Sequence, residues 1–113
     1  MIYEALNQCV LLQIPDKTKT LLDIGCGSGE LGGEIKRRWS CKVVGITHSN
    51  QESELAARHL DQVLVNDLNS LNFEQIGQFD CIISSHVLEH LFDPQKLLVQ
   101  LHNHLTSEGV LIE

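Results

Sequence analysis

Short apolar runs alternate along the chain with segments whose apolar residues recur at helical spacing. The runs are rich in β-branched residues and are bounded by glycine, proline or polar residues, which is typical of buried strands. We predict five strands, over residues 20–24, 42–47, 63–65, 79–84 and 110–113. The intervening segments predict helices over residues 2–14, 30–39, 51–60 and 73–76, and one that opens at Asp93–Pro94.

Particular residues mark the ends of these elements. Pro15 ends the first helical pattern, and Pro94 suits the first turn of the last helix. Ser49 or Asn50 caps the helix that follows the second strand. We expect residues 107–109, Ser-Glu-Gly, to turn the chain into the fifth strand.

The alternation of strands and helices predicts an α/β fold with a doubly wound, mostly parallel sheet and helices on both faces. A chain of 113 residues allows one domain, 1–113, in which residues 1–16 form a leading amphipathic helix. The sequence stops inside the fifth strand. We therefore expect a fragment of a longer protein, with an open sheet edge that favours a homodimer.

Charge and composition limit the classes of partner that the chain is expected to bind. Eight Lys and Arg against fifteen Asp and Glu leave a net charge of -7, which disfavours nucleic acid. The one basic run, residues 36–38, lies at a helix end, where cations complement the helix dipole. No apolar run approaches the roughly 20 residues of a membrane span. Four cysteines without a Cys-x-x-Cys pair predict reduced thiols and a cytoplasmic protein.

An aspartate and three glycines mark the candidate ligand site. Asp23 lies near the end of the first strand, and Gly25, Gly27 and Gly29 alternate directly after it. Glycines let the backbone turn sharply and approach a ligand, and the next helix presents N–H groups to it. With a strand order of 3-2-1-4-5, the binding crevice falls between strands one and four. A nucleoside-type ligand fits this arrangement.

Residues 27–32 also match the Gly-x-Gly-x-x-Gly pattern of dinucleotide-binding domains. In that pattern the glycines open directly after the strand, and an acid follows about 20 residues on. Here the glycines begin at Gly25, Asp23 precedes them, and the second strand ends in Thr47 and His48. An NAD(P)-binding oxidoreductase-type domain remains one alternative, and a non-catalytic interaction fragment remains another.

The sequence resembles the class I S-adenosylmethionine-dependent methyltransferases, a Rossmann-like family with seven strands. The resemblance rests on Asp23 with the three glycines, on Asp67 after the third strand, and on residues 79–91 and 105–112. It implies the strand order 3-2-1-4-5 and a cofactor-binding core that lacks the last two family strands. It also implies methyl transfer from S-adenosyl-L-methionine to an unidentified acceptor. The negative charge favours a small molecule or a glycan.

The resemblance assigns roles to individual residues. Asp23 would bind the methionine ammonium group, and Asp67 with Leu68 would border the adenine. The family commonly holds the ribose with an acid at the end of the second strand, where this chain has Thr47. Asn50 or Gln51 would then supply that contact. The implied cofactor-binding set is Asp23, Gly25, Cys26, Gly27, Gly29, Thr47, His48, Asn50, Gln51, Asp67, Leu68 and Ser85.

Structural roles remain as alternatives for several of these residues. Asp67 would also serve as a turn cap, Thr47 as a strand former and Asn50 as a helix cap. His86, at the end of the fourth strand, is the candidate general base for an acceptor that holds a proton. Lining the pocket or starting the next helix is its alternative role. Residues 86–90 match a His-x-x-Glu-His zinc pattern, but no third ligand is identifiable, so we expect no metal.

Overall fold

The computed structural model describes residues 2–71, 74, 76–84 and 91–113. Within these residues the chain forms four α-helices, five strands and one turn of 3-10 helix. In chain order the elements are α1 (Ile2–Gln13), β1 (Thr20–Ile24), α2 (Glu30–Trp39), β2 (Lys42–Thr47), α3 (Asn50–Ala56), β3 (Gln62–Val65), the 3-10 turn (Leu68–Ser70), β4 (Phe79–Ile83), α4 (Pro94–Asn103) and β5 (Leu105–Ile112).

The five strands form one sheet in the order β3-β2-β1-β4-β5, and every neighbouring pair is parallel. The predicted fold class and strand order are therefore confirmed. β1 lies at the centre, and Asp23 is opposite Gly45 of β2 and Ile83 of β4. The strand order reverses between β1 and β4. The carboxyl ends of these two strands consequently form the crevice where α/β proteins bind ligands.

Helices cover both faces of the sheet, as the alternating pattern predicts. One apolar cluster joins Val10 and Leu11 of α1, Ile35 of α2 and Ala56 of α3 to one face of the strands. A second cluster packs α4 on the opposite face, through Leu97 and other residues. The glycine-rich loop joins the carboxyl end of β1 to α2 and lies beside the carboxyl end of β2.

A partly exposed polar contact fixes the amino ends of three strands. The carboxylate of Asp80 accepts hydrogen bonds from the backbone N–H groups of Lys19 and Thr20, at 2.9 and 3.2 Å, and from Thr106 Oγ1 at 3.1 Å. The Lys19 N–H contributes most to lowering the pKa of Asp80 below its usual range. Asp80 thus links β1, β4 and β5 at the end of the sheet opposite the crevice.

Two predicted boundaries differ from the structure by more than one residue. Helix α3 ends at Ala56 rather than at residue 60. The predicted start of the fifth strand at Val110 is also wrong, because β5 begins at Leu105 and includes residues 107–109. Phe79 pairs with Leu105 but Cys81 pairs with Val110, so the intervening residues of β5 form a bulge. The turn-forming residues bend an existing strand instead of preceding one.

The basic run at residues 36–38 is partly neutralised within the chain. Lys36 Nζ lies 2.8 Å from Asp61 Oδ1, and Arg38 lies 2.7 Å from Glu34 Oε1. Asp61 also accepts the Val43 N–H at 2.8 Å, which ties α2 to β2. The run therefore has partners in the fold itself. The predicted helix over residues 73–76 falls partly on residues 73 and 75, outside the described residues.

Candidate functional site

The glycine loop after β1 has the backbone conformation that the sequence pattern predicts. Gly25, Gly27 and Gly29 have φ angles of 75°, 56° and 85°, a region that side-chain-bearing residues rarely adopt. A Cβ on Gly29 would also lie 2.8 Å from the Ala56 Cα atom. The loop therefore bends toward β2 and α3 in a way that only glycine permits.

Backbone hydrogen bonds anchor this loop to the end of β2. The N–H groups of Gly25 and Cys26 both donate to the carbonyl oxygen of Ile46, at 2.8 and 2.9 Å. Helix α2 begins just after the loop, and no side chain caps its first N–H groups. These N–H groups and the positive end of the helix dipole favour a polar or anionic ligand group at the loop.

Asp23 is a buried acid near the end of β1. Its side chain is 4% exposed, and burial raises the pKa of its carboxyl from 3.8 to about 7. Among the described residues, no hydrogen bond or ion pair reaches this carboxylate. Burying a carboxyl group without a partner is costly, and a cation placed against it would offset that cost. The arrangement suits a ligand that carries a positively charged group.

Cys26 faces the protein interior. Its side chain is buried, and its Sγ atom would lie 2.7 Å from a Cβ placed on Gly45. Burial, with the nearby charges of Asp23 and Glu52, raises the pKa of the Cys26 thiol to about 12. The thiol therefore stays protonated and is unsuited to act as a nucleophile. Any contact of Cys26 with a ligand would use its backbone.

The end of β2 carries a closed group of hydrogen bonds. The Thr47 hydroxyl, which is 2% exposed, donates to Glu52 Oε1 at 3.2 Å and accepts the Ser49 N–H at 3.2 Å. Ser49 Oγ in turn accepts the Glu52 N–H at 3.2 Å and caps α3, as predicted. Glu52 Oε2 lies 3.4 Å from the Cβ position of Gly27. A carboxylate thus stands beside the glycine loop.

The other predicted residues near β2 lie at the surface. His48, Asn50 and Gln51 are exposed, and within the described part of the chain their side chains make no hydrogen bond. Their role in binding the ribose remains a prediction. Glu52 was not among the predicted residues. Its signal is helical register: Glu52 is four residues before Ala56, the residue packed against Gly29, so both lie on the helix face toward the loop.

Asp67 combines a structural contact with an exposed position. Its Oδ1 atom accepts the Asn69 N–H at 2.9 Å and caps the 3-10 turn, which is the alternative role considered for it. Asn66, the residue before it, donates its N–H to the Thr47 carbonyl at 3.0 Å. The ends of β2 and β3 are thereby joined, and Leu68 packs partly against the apolar cluster below them.

The candidate base lies outside the described residues. This holds for Ser85 and His86, and for the zinc-like pattern at residues 86–90. After β4 the last described residue is Ser84, which is 2% exposed. Its hydroxyl has no hydrogen-bond partner among the described residues. Across the described ranges, no group of three or more His, Cys, Asp or Glu side chains could hold a metal ion.

No helix that the structure describes combines the length and the apolar character needed to cross a bilayer. The longest element, α1, has twelve residues, whereas a spanning helix needs about 20.

Comparison with known proteins gives a consistent result. The family described as "Methyltransferase domain" matches residues 22–112. The ubiquinone biosynthesis O-methyltransferase of Psychrobacter cryohalolentis is 29% identical over 102 residues, covering 83% of this chain and 39% of the relative. The trans-aconitate 2-methyltransferase of Azoarcus is 31% identical over 104 residues, covering 90% of this chain and 41% of the relative. The chain thus spans about two-fifths of the length of these curated relatives.

A solved structure supports the same fold. The plantazolicin methyltransferase BpumL, determined in complex with SAH, superposes with a TM-score of 0.74 at 20% sequence identity. The match covers 96% of this chain and 42% of that protein. At this level of identity the likeness concerns the fold. The family match favours the acid-and-glycine interpretation of the loop over the dinucleotide pattern at residues 27–32.

Proposed function

The chain belongs to the methyltransferase domain family, and from this premise we propose that it binds S-adenosyl-L-methionine and transfers the methyl group to an acceptor. The proposal rests on the position of Asp23, a buried carboxyl that has no partner among the described residues. It lies beside a loop in which three glycines have left-handed backbone conformations. The cofactor has a methionine ammonium group that would pair with this carboxyl. Binding of SAH by a protein of the same fold supports the proposal.

Each part of the cofactor has a candidate partner along the strand ends. The glycine loop would admit the methionine backbone, with its carboxylate near the start of α2. Asp67, which is exposed and uses one oxygen for capping, would accept from the adenine amine, and Leu68 would contact the ring. The ribose would lie at the end of β2, near Thr47 and the start of α3. Ser85 completes the proposed set, and we propose that residues 1–113 act as one cofactor-binding domain.

The chemistry is a displacement at the methyl carbon. S-adenosyl-L-methionine, when bound, supplies a methyl group whose bond to sulfur breaks as the acceptor atom bonds to the same carbon. The protein accelerates such a step mainly by aligning the two partners. An oxygen or nitrogen acceptor that holds a proton needs a base. We propose His86 for this role, because in the sequence it comes three residues after β4, whose carboxyl end borders the crevice.

A small organic molecule is the acceptor class that we propose. Relatives named for ubiquinone biosynthesis, trans-aconitate and fatty acid methylation support it. A net charge of -7 and the internal pairing of two of the three cations at residues 36–38 argue against nucleic acid. A small glycan is a second acceptor class that the negative net charge of the chain also favours. Comparing methyl transfer to phenols, carboxylic acids and sugars would distinguish these classes.

We also propose a cellular location and an oligomeric state for the chain. Three of the four cysteines, Cys26, Cys41 and Cys81, pack as buried thiols in the core, which supports a reducing, cytoplasmic setting. Within the described sheet, β5 pairs only with β4, so we propose that two copies associate through its outer edge. Light scattering across a range of concentrations tests this. A species that stays monomeric at the highest concentration contradicts it.

Calorimetric titration with S-adenosylhomocysteine tests the cofactor assignment. We expect wild type to bind, Asp23→Asn to lose at least about tenfold in affinity, and the exposed control Asp16→Asn to bind as wild type does. NADH and NADPH serve as competing ligands in the same assay. Binding of either nucleotide in preference to S-adenosylhomocysteine would contradict the proposal, as would an Asp23→Asn variant with unchanged affinity and intact helicity.

A further inference from the structure

We propose that Glu52 is the residue that binds the ribose hydroxyls of the cofactor, and that Thr47 holds its carboxylate in position. The inference rests on the proposed function, which supplies the cofactor. It replaces the expectation that Asn50 or Gln51 makes this contact. An acid at the start of α3 would thereby do what the acid at the end of the second strand commonly does in the resembling family.

Helical register places Glu52 against the glycine loop. Ala56, four residues later, lies against Gly29, and Leu60 contacts the positions of Gly32 and Gly45 further along. Glu52 is thus the first of a series of residues that face the loop and β2. Its Oε2 atom lies 3.4 Å from the Cβ position of Gly27, over the middle of the loop.

Hydrogen bonds direct one carboxylate oxygen and leave the other for a ligand. Thr47 donates its single hydroxyl proton to Glu52 Oε1, and the same hydroxyl accepts the Ser49 N–H. Thr47 therefore has no proton left to donate elsewhere. Among the described residues, no donor reaches Oε2 of Glu52. Thr47 acts as a positioning residue, and the half-buried Oε2 faces the loop side of the crevice.

The chemistry of a carboxylate matches a vicinal diol. An ionised carboxylate only accepts hydrogen bonds, and the two ribose hydroxyls both donate. A bond to a charged acceptor is worth more than a neutral one, so Glu52 would contribute more than an amide at the exposed positions 50 and 51. The same charge would repel a phosphate on the ribose. Discrimination against 2′-phosphorylated nucleotides follows from the same residue.

Electrostatic contact supports the placement. The charges of Asp23 and Glu52 both raise the pKa of the Cys26 thiol, after burial as the main cause. Cys26 lies within the loop, between Gly25 and Gly27. The two carboxylates therefore lie close to the same short segment of backbone, with Asp23 on β1 and Glu52 on α3. A ligand on this loop would meet one acid with its ammonium group and the other with its sugar.

The experiment measures the coupling between the side chain and the ribose hydroxyls. S-adenosylhomocysteine and its 2′-deoxy and 3′-deoxy analogues are titrated calorimetrically into wild type and Glu52→Ala. In wild type we expect at least one deoxy analogue to bind about tenfold or more weakly than the parent. In Glu52→Ala this difference should fall to about twofold or less. Glu54→Ala, which removes an exposed acid of the same helix, is the matched control and should keep the full difference. Asn50→Ala and Gln51→Ala test the expectation that this proposal replaces, and we expect both to keep the difference.

Two further variants separate binding from folding. Glu52→Gln keeps the side-chain size and should narrow the difference to about threefold, which provides the reading if Glu52→Ala does not fold. Thr47→Val removes the hydroxyl that holds Oε1 and should reduce the same difference, whereas a purely structural threonine would weaken all three ligands equally. Thermal unfolding without ligand identifies any variant that is not folded.

The outcomes distinguish this inference from the function on which it rests. Wild type that does not bind S-adenosylhomocysteine overturns the proposed cofactor, and the ribose assignment with it. Wild type that binds the parent ligand, with a deoxy difference unchanged by both Glu52 variants, overturns the Glu52 assignment alone. Loss of the difference in Asn50→Ala or Gln51→Ala also overturns it and assigns the contact to that residue.

Discussion

Replacing Asp23 with asparagine should stabilise the ligand-free protein at high pH, although it should weaken cofactor binding. Burial raises the pKa of this carboxyl from 3.8 to about 7, so the folded state disfavours the charged form. Each pH unit of pKa change corresponds to about 1.4 kcal/mol, which makes the full cost of ionised Asp23 about 4 kcal/mol. Because the side chain is almost completely buried, solvent screening reduces this value little.

The sign of the pH dependence follows from linkage. Below about pH 4 the carboxyl is protonated in both the folded and the unfolded chain, so Asp23 carries no electrostatic cost. Between about pH 4 and 7 the unfolded chain loses this proton while the folded chain keeps it, and stability falls as the pH rises. Above about pH 7 the cost is complete. Asp23→Asn removes the cost, because an amide does not ionise.

Urea unfolding of wild type and Asp23→Asn from pH 4 to pH 8 measures this difference. The two free energies of unfolding should be similar near pH 4 and should diverge up to about 4 kcal/mol in favour of the variant at pH 8. Other titrating groups are common to both proteins and cancel in the difference. A difference that does not change with pH, or a variant that is less stable at pH 8, would refute the conclusion that burial raises the pKa of the Asp23 carboxyl.

Three more outcomes follow from the same structure. Cofactor binding should release a proton from Asp23 near pH 7, so the binding enthalpy of S-adenosylhomocysteine should vary with the ionisation enthalpy of the buffer, and it should not do so in Asp23→Asn. Asp80→Ala should lower the free energy of unfolding by about 2 to 3 kcal/mol in urea at pH 7, since three donors lose a charged acceptor. Gly29→Ala should lower melting temperature more than Gly77→Ala: their φ angles are 85° and 84°, but only Gly29 has a neighbour in the way of a Cβ.

The parts of the fold that local sequence determines were predictable to the residue. β1, α2 and β2 begin and end where the apolar runs and the glycine turn place them, because each is bounded by residues that disfavour its continuation. β5 was not predictable in this way. Residues 107–109 have the composition of a turn, and only pairing with β4 draws them into a bulged strand.

The candidate site also combines features that local sequence predicts with contacts that only the folded chain shows. The glycine loop is a local backbone feature, so spacing alone identified Gly25, Gly27 and Gly29. β2 ends without an acid, and the sequence alone therefore points to the residues just after Thr47, because it gives only distance along the chain. In the folded chain the face of α3 decides, and that face brings Glu52 rather than its neighbours against the loop.

In the proposed site, the two carboxylates near the loop would also make binding specific for the ligand. Asp23 and Glu52 place negative charge near the same backbone segment, and in the ligand-free chain Asp23 has no described partner to offset its burial. A pyrophosphate on this loop would meet repulsion from both acids. A ligand with an ammonium group at one end and a diol further along would instead satisfy both. We therefore propose that a cationic nucleoside would offset the unfavourable burial of Asp23 on binding, and that the site would prefer such a ligand for this reason.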